Sequence, residues 1–149
     1  RARIAAAVSE EGFKEEFLND VRPELAERIS PDLWKLHWSL MTPERRKIAV
    51  DVIAALRENL AWFPPYQAYL RKHRPAALIL WGPEDGYMPE ASARAYLRDL
   101  PEAELHLLEG AGHWLLETHL DEATDLIRNF LERVHGETAA RESAVLADA

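Results

Sequence analysis

The chain has 149 residues, enough for one domain that buries about 70% of its unfolded surface. Its 48% hydrophobic and 30% charged residues are the balance of a globular protein, and the net charge of −8 argues against a groove for nucleic-acid phosphates or an anionic membrane surface. The sequence has no cysteine, which excludes disulfides and thiol catalysis.

In chain order, the segment up to about His73 reads as helices separated by proline. Phe13, Phe17 and Val21 recur every four residues and form one apolar stripe. Ser30-Pro31 is a helix start, with a capping hydroxyl followed by a residue that lacks an N–H where none is needed. Trp34, Trp38 and Met41 then share a face. Thr42-Pro43 repeats the start signal, ahead of a stripe of Ile48, Val52, Ala55 and Leu56. Pro64-Pro65 is expected to end that segment, and a short helix through Tyr66, Tyr69 and Leu70 follows.

The pattern changes at Pro75. Ala76 to Trp81 is a short continuous apolar run, as expected of a strand buried on both faces. Gly82-Pro83-Glu84-Asp85-Gly86 is a loop, Pro89 to about Leu100 a helix, and Glu104 to Leu108 a second strand. Gly110-Ala111-Gly112-His113 is another loop, and Leu120, Ala123, Ile127, Phe130 and Leu131 mark an amphipathic helix. This order predicts a parallel pair joined by a crossover, with both loops opening at one sheet edge. From His135 the residues are small and polar, and a flexible tail is expected over residues 135–149. Two strands cannot bury a parallel sheet, so further strands are expected from residues outside this chain or from a second chain.

An acid and a histidine in adjacent post-strand loops have the makings of a general base and its orienting carboxylate. Taken alone, Asp85 before Gly86 is equally a turn former, and His113 equally a buried structural histidine. Glu84 is the competing carboxylate. The remaining histidines, His37, His73, His106, His119 and His135, show no paired ligand spacing, so neither a metal nor any other cofactor is expected.

The succession Leu78-Ile79-Leu80-Trp81-Gly82 with Asp85, then Glu104-Leu105 through Gly110-Ala111-Gly112-His113, then an amphipathic helix, resembles the end of the α/β-hydrolase fold. The resemblance covers roughly residues 30–134. It implies an α/β class, with residues 75–134 as the C-terminal part of the hydrolase sheet. Residues 1–74 would be a helical cap of the epoxide hydrolase and haloalkane dehalogenase branch. Asp85 matches the family's acid and His113 its histidine. The nucleophile elbow is absent, because none of Ser9, Ser30, Ser39, Ser92 or Ser143 has glycines at the elbow's spacing. The expected protein is therefore a fragment or one chain of a hydrolase, inactive alone and prone to associate. Its nucleophile, Asp or Ser, would come from a missing N-terminal portion or a second chain. The substrate would be a small apolar molecule such as an epoxide, haloalkane or ester.

Trp114 gains a claim to substrate contact from its neighbour His113, while Trp34, Trp38 and Trp62 either line a cavity under the cap or form its core. Leu60-Ala61-Trp62-Phe63 has aromatics but no tyrosine where epoxide opening would want an acid; Tyr66 and Tyr69 follow it. The rival reading from another class is a non-catalytic, hydrolase-like binding module that keeps the pocket and has lost the nucleophile. No apolar run approaches the ~20 residues of a membrane span, and no signal-peptide core is seen, so a cytoplasmic setting is expected.

Overall fold

The computed structural model describes residues 1–18 and 21–147, with side chains described up to residue 136. Six α-helices come first: α1 (Ala2–Ala7), α2 (Glu10–Leu18), α3 (Pro23–Ala26), α4 (Asp32–Ser39), α5 (Pro43–Ala55) and α6 (Phe63–His73), with a 3-10 stretch at Leu56–Trp62. Then come β1 (Leu78–Trp81), α7 (Glu90–Ala95) with a 3-10 turn at Tyr96–Arg98, β2 (Glu104–Leu107), α8 (Leu115–Thr118) and α9 (Leu120–Ala147).

Thr42 Oγ1 accepts from the Arg45 N–H at 3.3 Å and caps α5, as its start signal requires. At the other start signal α4 begins one residue later than expected: Pro31 is the N-cap, and Ser30 Oγ accepts from the Asp32 N–H at 3.3 Å from just outside the helix. Pro64-Pro65 marks the expected break: the preceding 3-10 stretch ends at Trp62, and the prolines lie in the first turn of α6, which carries Tyr66, Tyr69 and Leu70. The first helical turn has no N–H to satisfy within the helix, so it tolerates them.

The predicted Phe13/Phe17 stripe faces inward. Phe17, Ile29 and Trp34 form a buried cluster, with Phe13, Val21, Leu33 and Trp114 packed against it. The stripe on α5 does not: Ile48, Val52 and Leu56 are exposed in this chain.

β1 and β2 pair in parallel, with Leu78 opposite Glu104 and Trp81 opposite Leu107. All eight strand residues are half-buried rather than covered on both faces. Leu108, Ala111 and Ala123 form a second buried cluster, joined by Leu80, Leu115 and Leu126, which seats α9 against β1 and the loop after β2. Arg133 on α9 also pairs with Glu104. The α9 backbone continues as helix through the segment expected to be a tail, whose side chains beyond residue 136 lie outside the described residues. The molecule is thus mostly helical, with a small parallel sheet compatible with part of an α/β fold. No helix among the described residues is long and apolar enough to cross a membrane.

Candidate functional site

Each strand ends in a tight turn, and the two turns touch. After β1 the chain folds back at Gly82, whose carbonyl accepts from the Asp85 N–H at 3.2 Å. After β2 the Leu108 N–H donates to the Trp81 carbonyl at 2.9 Å, and the Ala111 N–H closes a turn on the Leu108 carbonyl at 3.0 Å. Gly110 takes φ +82° within this turn, a conformation that favours glycine. The Glu84 N–H donates across to the Ala111 carbonyl at 3.1 Å and joins the loops directly. A Cβ on Gly82 would lie 2.3 Å from the Gly112 carbonyl oxygen and 2.5 Å from that of Ala111, so only glycine permits this approach.

The approach brings two side chains together. His113 Nδ1 lies 2.9 Å from Asp85 Oδ2. Asp85 Oδ1 accepts from the backbone N–H groups of Tyr87 at 2.8 Å and Met88 at 2.9 Å. Burial opposes ionisation of Asp85, but the Met88 N–H, the His113 side chain and the Tyr87 N–H outweigh it and hold the carboxyl below its ordinary range. An ionised carboxylate only accepts, so His113 Nδ1–H is the donor in this contact, and in the neutral imidazole the lone pair then lies on Nε2. The Asp85 side chain is 8% exposed and that of His113 is 32% exposed, an arrangement with the acid enclosed and the imidazole reachable. It suits proton abstraction from a group presented to Nε2.

The tryptophans are placed differently from one another. Trp114 stacks on Phe17 at 4.4 Å between ring centroids and stands edge-on to the His113 ring at 6.0 Å. Its indole N–H is buried with no hydrogen-bond partner among the described residues. Trp34 is buried in the Phe17 cluster. Trp38 is half-buried beside Phe13, with the Arg46 guanidinium 4.1 Å from its ring centroid. Trp62 is 58% exposed and stacks on Tyr66.

Two neighbours of the pair were not singled out from the sequence. Tyr87 lies 5.0 Å from the His113 ring and also borders an open groove of about 600 Å³, together with Ile4, Val8, Phe13 and Ile53. Its position two residues after Asp85 was the available signal. Arg22 bonds Glu84 across 62 residues of sequence, and nothing local announces it. No group of three or more His, Asp or Glu side chains suited to a metal occurs among the described residues.

No protein-family model matches the chain. It is 30% identical over 89 residues to the 2-hydroxy-6-oxononadienedioate/2-hydroxy-6-oxononatrienedioate hydrolases of Escherichia coli K12 / DH10B, O9:H4 HS and O139:H28 E24377A. The match covers 60% of this chain and 31% of each relative, so the chain spans about a third of the length of the curated relatives it matches. These relatives are named as hydrolases.

Proposed function

We propose that the chain is the C-terminal part of an α/β-hydrolase in which His113 is the general base, Asp85 orients it, and the nucleophile comes from outside these residues. The observation that carries this is the 2.9 Å contact between His113 Nδ1 and Asp85 Oδ2, made between loops that each follow a parallel strand. Residues 1–74 act as the cap, and the groove bordered by Tyr87 and Phe13 receives an apolar part of the substrate. Trp114 backs the histidine, while Trp34, Trp38 and Trp62 serve the cap.

In this reading Asp85 fixes the Nε2 lone pair toward the reacting group and stabilises the imidazolium formed in turnover. With a serine nucleophile, Nε2 takes the hydroxyl proton as oxygen attacks a carbonyl. With an aspartate nucleophile, displacement at an epoxide or carbon–halogen centre comes first, and His113 then activates the water that hydrolyses the ester. The Escherichia coli relatives are named for 6-oxo substrates, which favours carbonyl chemistry and hence serine. The chain alone has no elbow nucleophile and is expected to turn over nothing.

The test is His113→Gln in the complete protein, followed by intact mass. With a serine nucleophile the first step fails and no adduct appears; with aspartate an ester adduct accumulates. Near-normal turnover would remove His113 from the mechanism, and the hydrolase reading with it.

A further inference from the structure

Both loops of the pair are held from outside by one side chain. Arg22, which precedes α3, donates through Nε to Glu84 Oε1 at 2.9 Å, and its Nη2 lies 2.7 Å from the same oxygen. That Nη2 also lies 3.5 Å from Glu109 Oε1. Glu84 immediately precedes Asp85, and Glu109 opens the turn that leads to His113. One guanidinium therefore touches a carboxylate from each loop.

The packing beneath it is close. A Cβ on Gly110 would meet Leu25 Cδ1 at 3.1 Å and the Arg22 guanidinium at 3.4 Å, so the α3 segment lies directly on the histidine loop. A second arginine acts beside it, with Arg28 Nη1 donating to the Thr118 carbonyl at 2.8 Å at the end of α8. The His119 Nε2–H donates to the Glu109 carbonyl at 3.1 Å and ties that end of α8 back to the same turn.

We propose that Arg22 is a positioning residue that holds the Asp85 and His113 loops together through Glu84 and Glu109, and so links the helices before Pro75 to the dyad. An exposed ion pair contributes little to overall stability. Its effect here is local, because two contacts from one planar fork restrict two short loops that share few other bonds. The inference builds on the proposed role of the dyad but rests on loop geometry, which is measured without turnover.

The reporter is the amide at position 84, whose N–H crosses to the Ala111 carbonyl at 3.1 Å. Hydrogen exchange is measured on the full chain. Arg22→Gln should speed exchange at this amide about tenfold or more, leave the β1 and β2 amides unchanged, and broaden the downfield Nδ1 proton signal of His113. Arg22→Lys, which keeps the charge without the fork, should recover part of the protection. Unchanged exchange at position 84, equal acceleration across both strands, or no recovery with lysine would each overturn the proposal. If Arg22→Gln does not fold, Glu84→Gln removes the other end of the contact at a half-exposed site and must give the same local acceleration. A mistaken hydrolase reading would instead appear in the turnover of His113→Gln, independently of exchange at position 84.

Discussion

At the scale of single residues, Asp85 concentrates the energetics of the site. It exchanges water for two backbone donors and an imidazole, and these outweigh the desolvation of its charge. Its folded pKa therefore lies below the unfolded value of about 3.9, and the ionised form stabilises the fold. That contribution is full above the unfolded value and is lost as pH falls through the folded one. Asp85→Asn has no such charge to lose. The wild-type urea midpoint should therefore drop more steeply than that of Asp85→Asn as pH is lowered from about 4 toward 2, and the curves should converge at the acid end. Parallel curves would mean that the carboxylate gains nothing from its three partners. The same substitution also offers an amide N–H to Nδ1, which favours the wrong tautomer and should slow, without abolishing, any step that uses His113 as base.

At the scale of elements, an apolar contact that seats the helical region on the histidine loop is the stack of Phe17 on Trp114. Phe17 is fully buried and lies in the same cluster as Trp34 and Ile29. Phe17→Ala should cost about 3–5 kcal/mol in urea unfolding, from lost transfer energy and an unfilled cavity. A loss under about 1 kcal/mol would show that Trp114 collapses into the space and that the stack does not fix its position. Much at this scale is legible in the sequence, because the signals are local. The four-residue spacing of Phe13 and Phe17, the Thr42-Pro43 cap and the strand–loop–helix order after Pro75 each announce themselves within a few residues. One crossover between two apolar runs is enough to place Asp85 and His113 on one sheet edge. Pro64-Pro65 marks the junction before α6 but not its first residue, because proline breaks a helix interior yet suits a first turn. Arg22 and the Phe17–Trp114 stack were not legible, since each depends on where distant segments meet.

At the scale of the whole molecule, the sheet is smaller than its composition suits. β1 is an apolar run of the kind found in fully covered parallel strands, yet its four residues are only half-buried. β1 and β2 pair only with each other among the described residues, which leaves an outer edge on each. The stretch from α5 to α6 adds a second uncovered surface, with Ile48, Val52, Leu56, Leu60, Trp62 and Tyr66 all exposed. Monomeric proteins rarely leave contiguous apolar patches larger than a few hundred Å² in water, so these surfaces should find partners. The expected outcome is self-association of the 149-residue chain, seen in sedimentation velocity as mass above the 17.0 kDa monomer that grows with concentration. Substituting Lys for Ile48 and Val52, which face solvent, should weaken association through the helices. Association through the strand edges should persist, because backbone pairing there does not depend on those side chains. A compact monomer at all concentrations, melting in one cooperative transition, would show that the half-buried strands need no neighbours. The proposed remainder of the sheet would then have no physical basis.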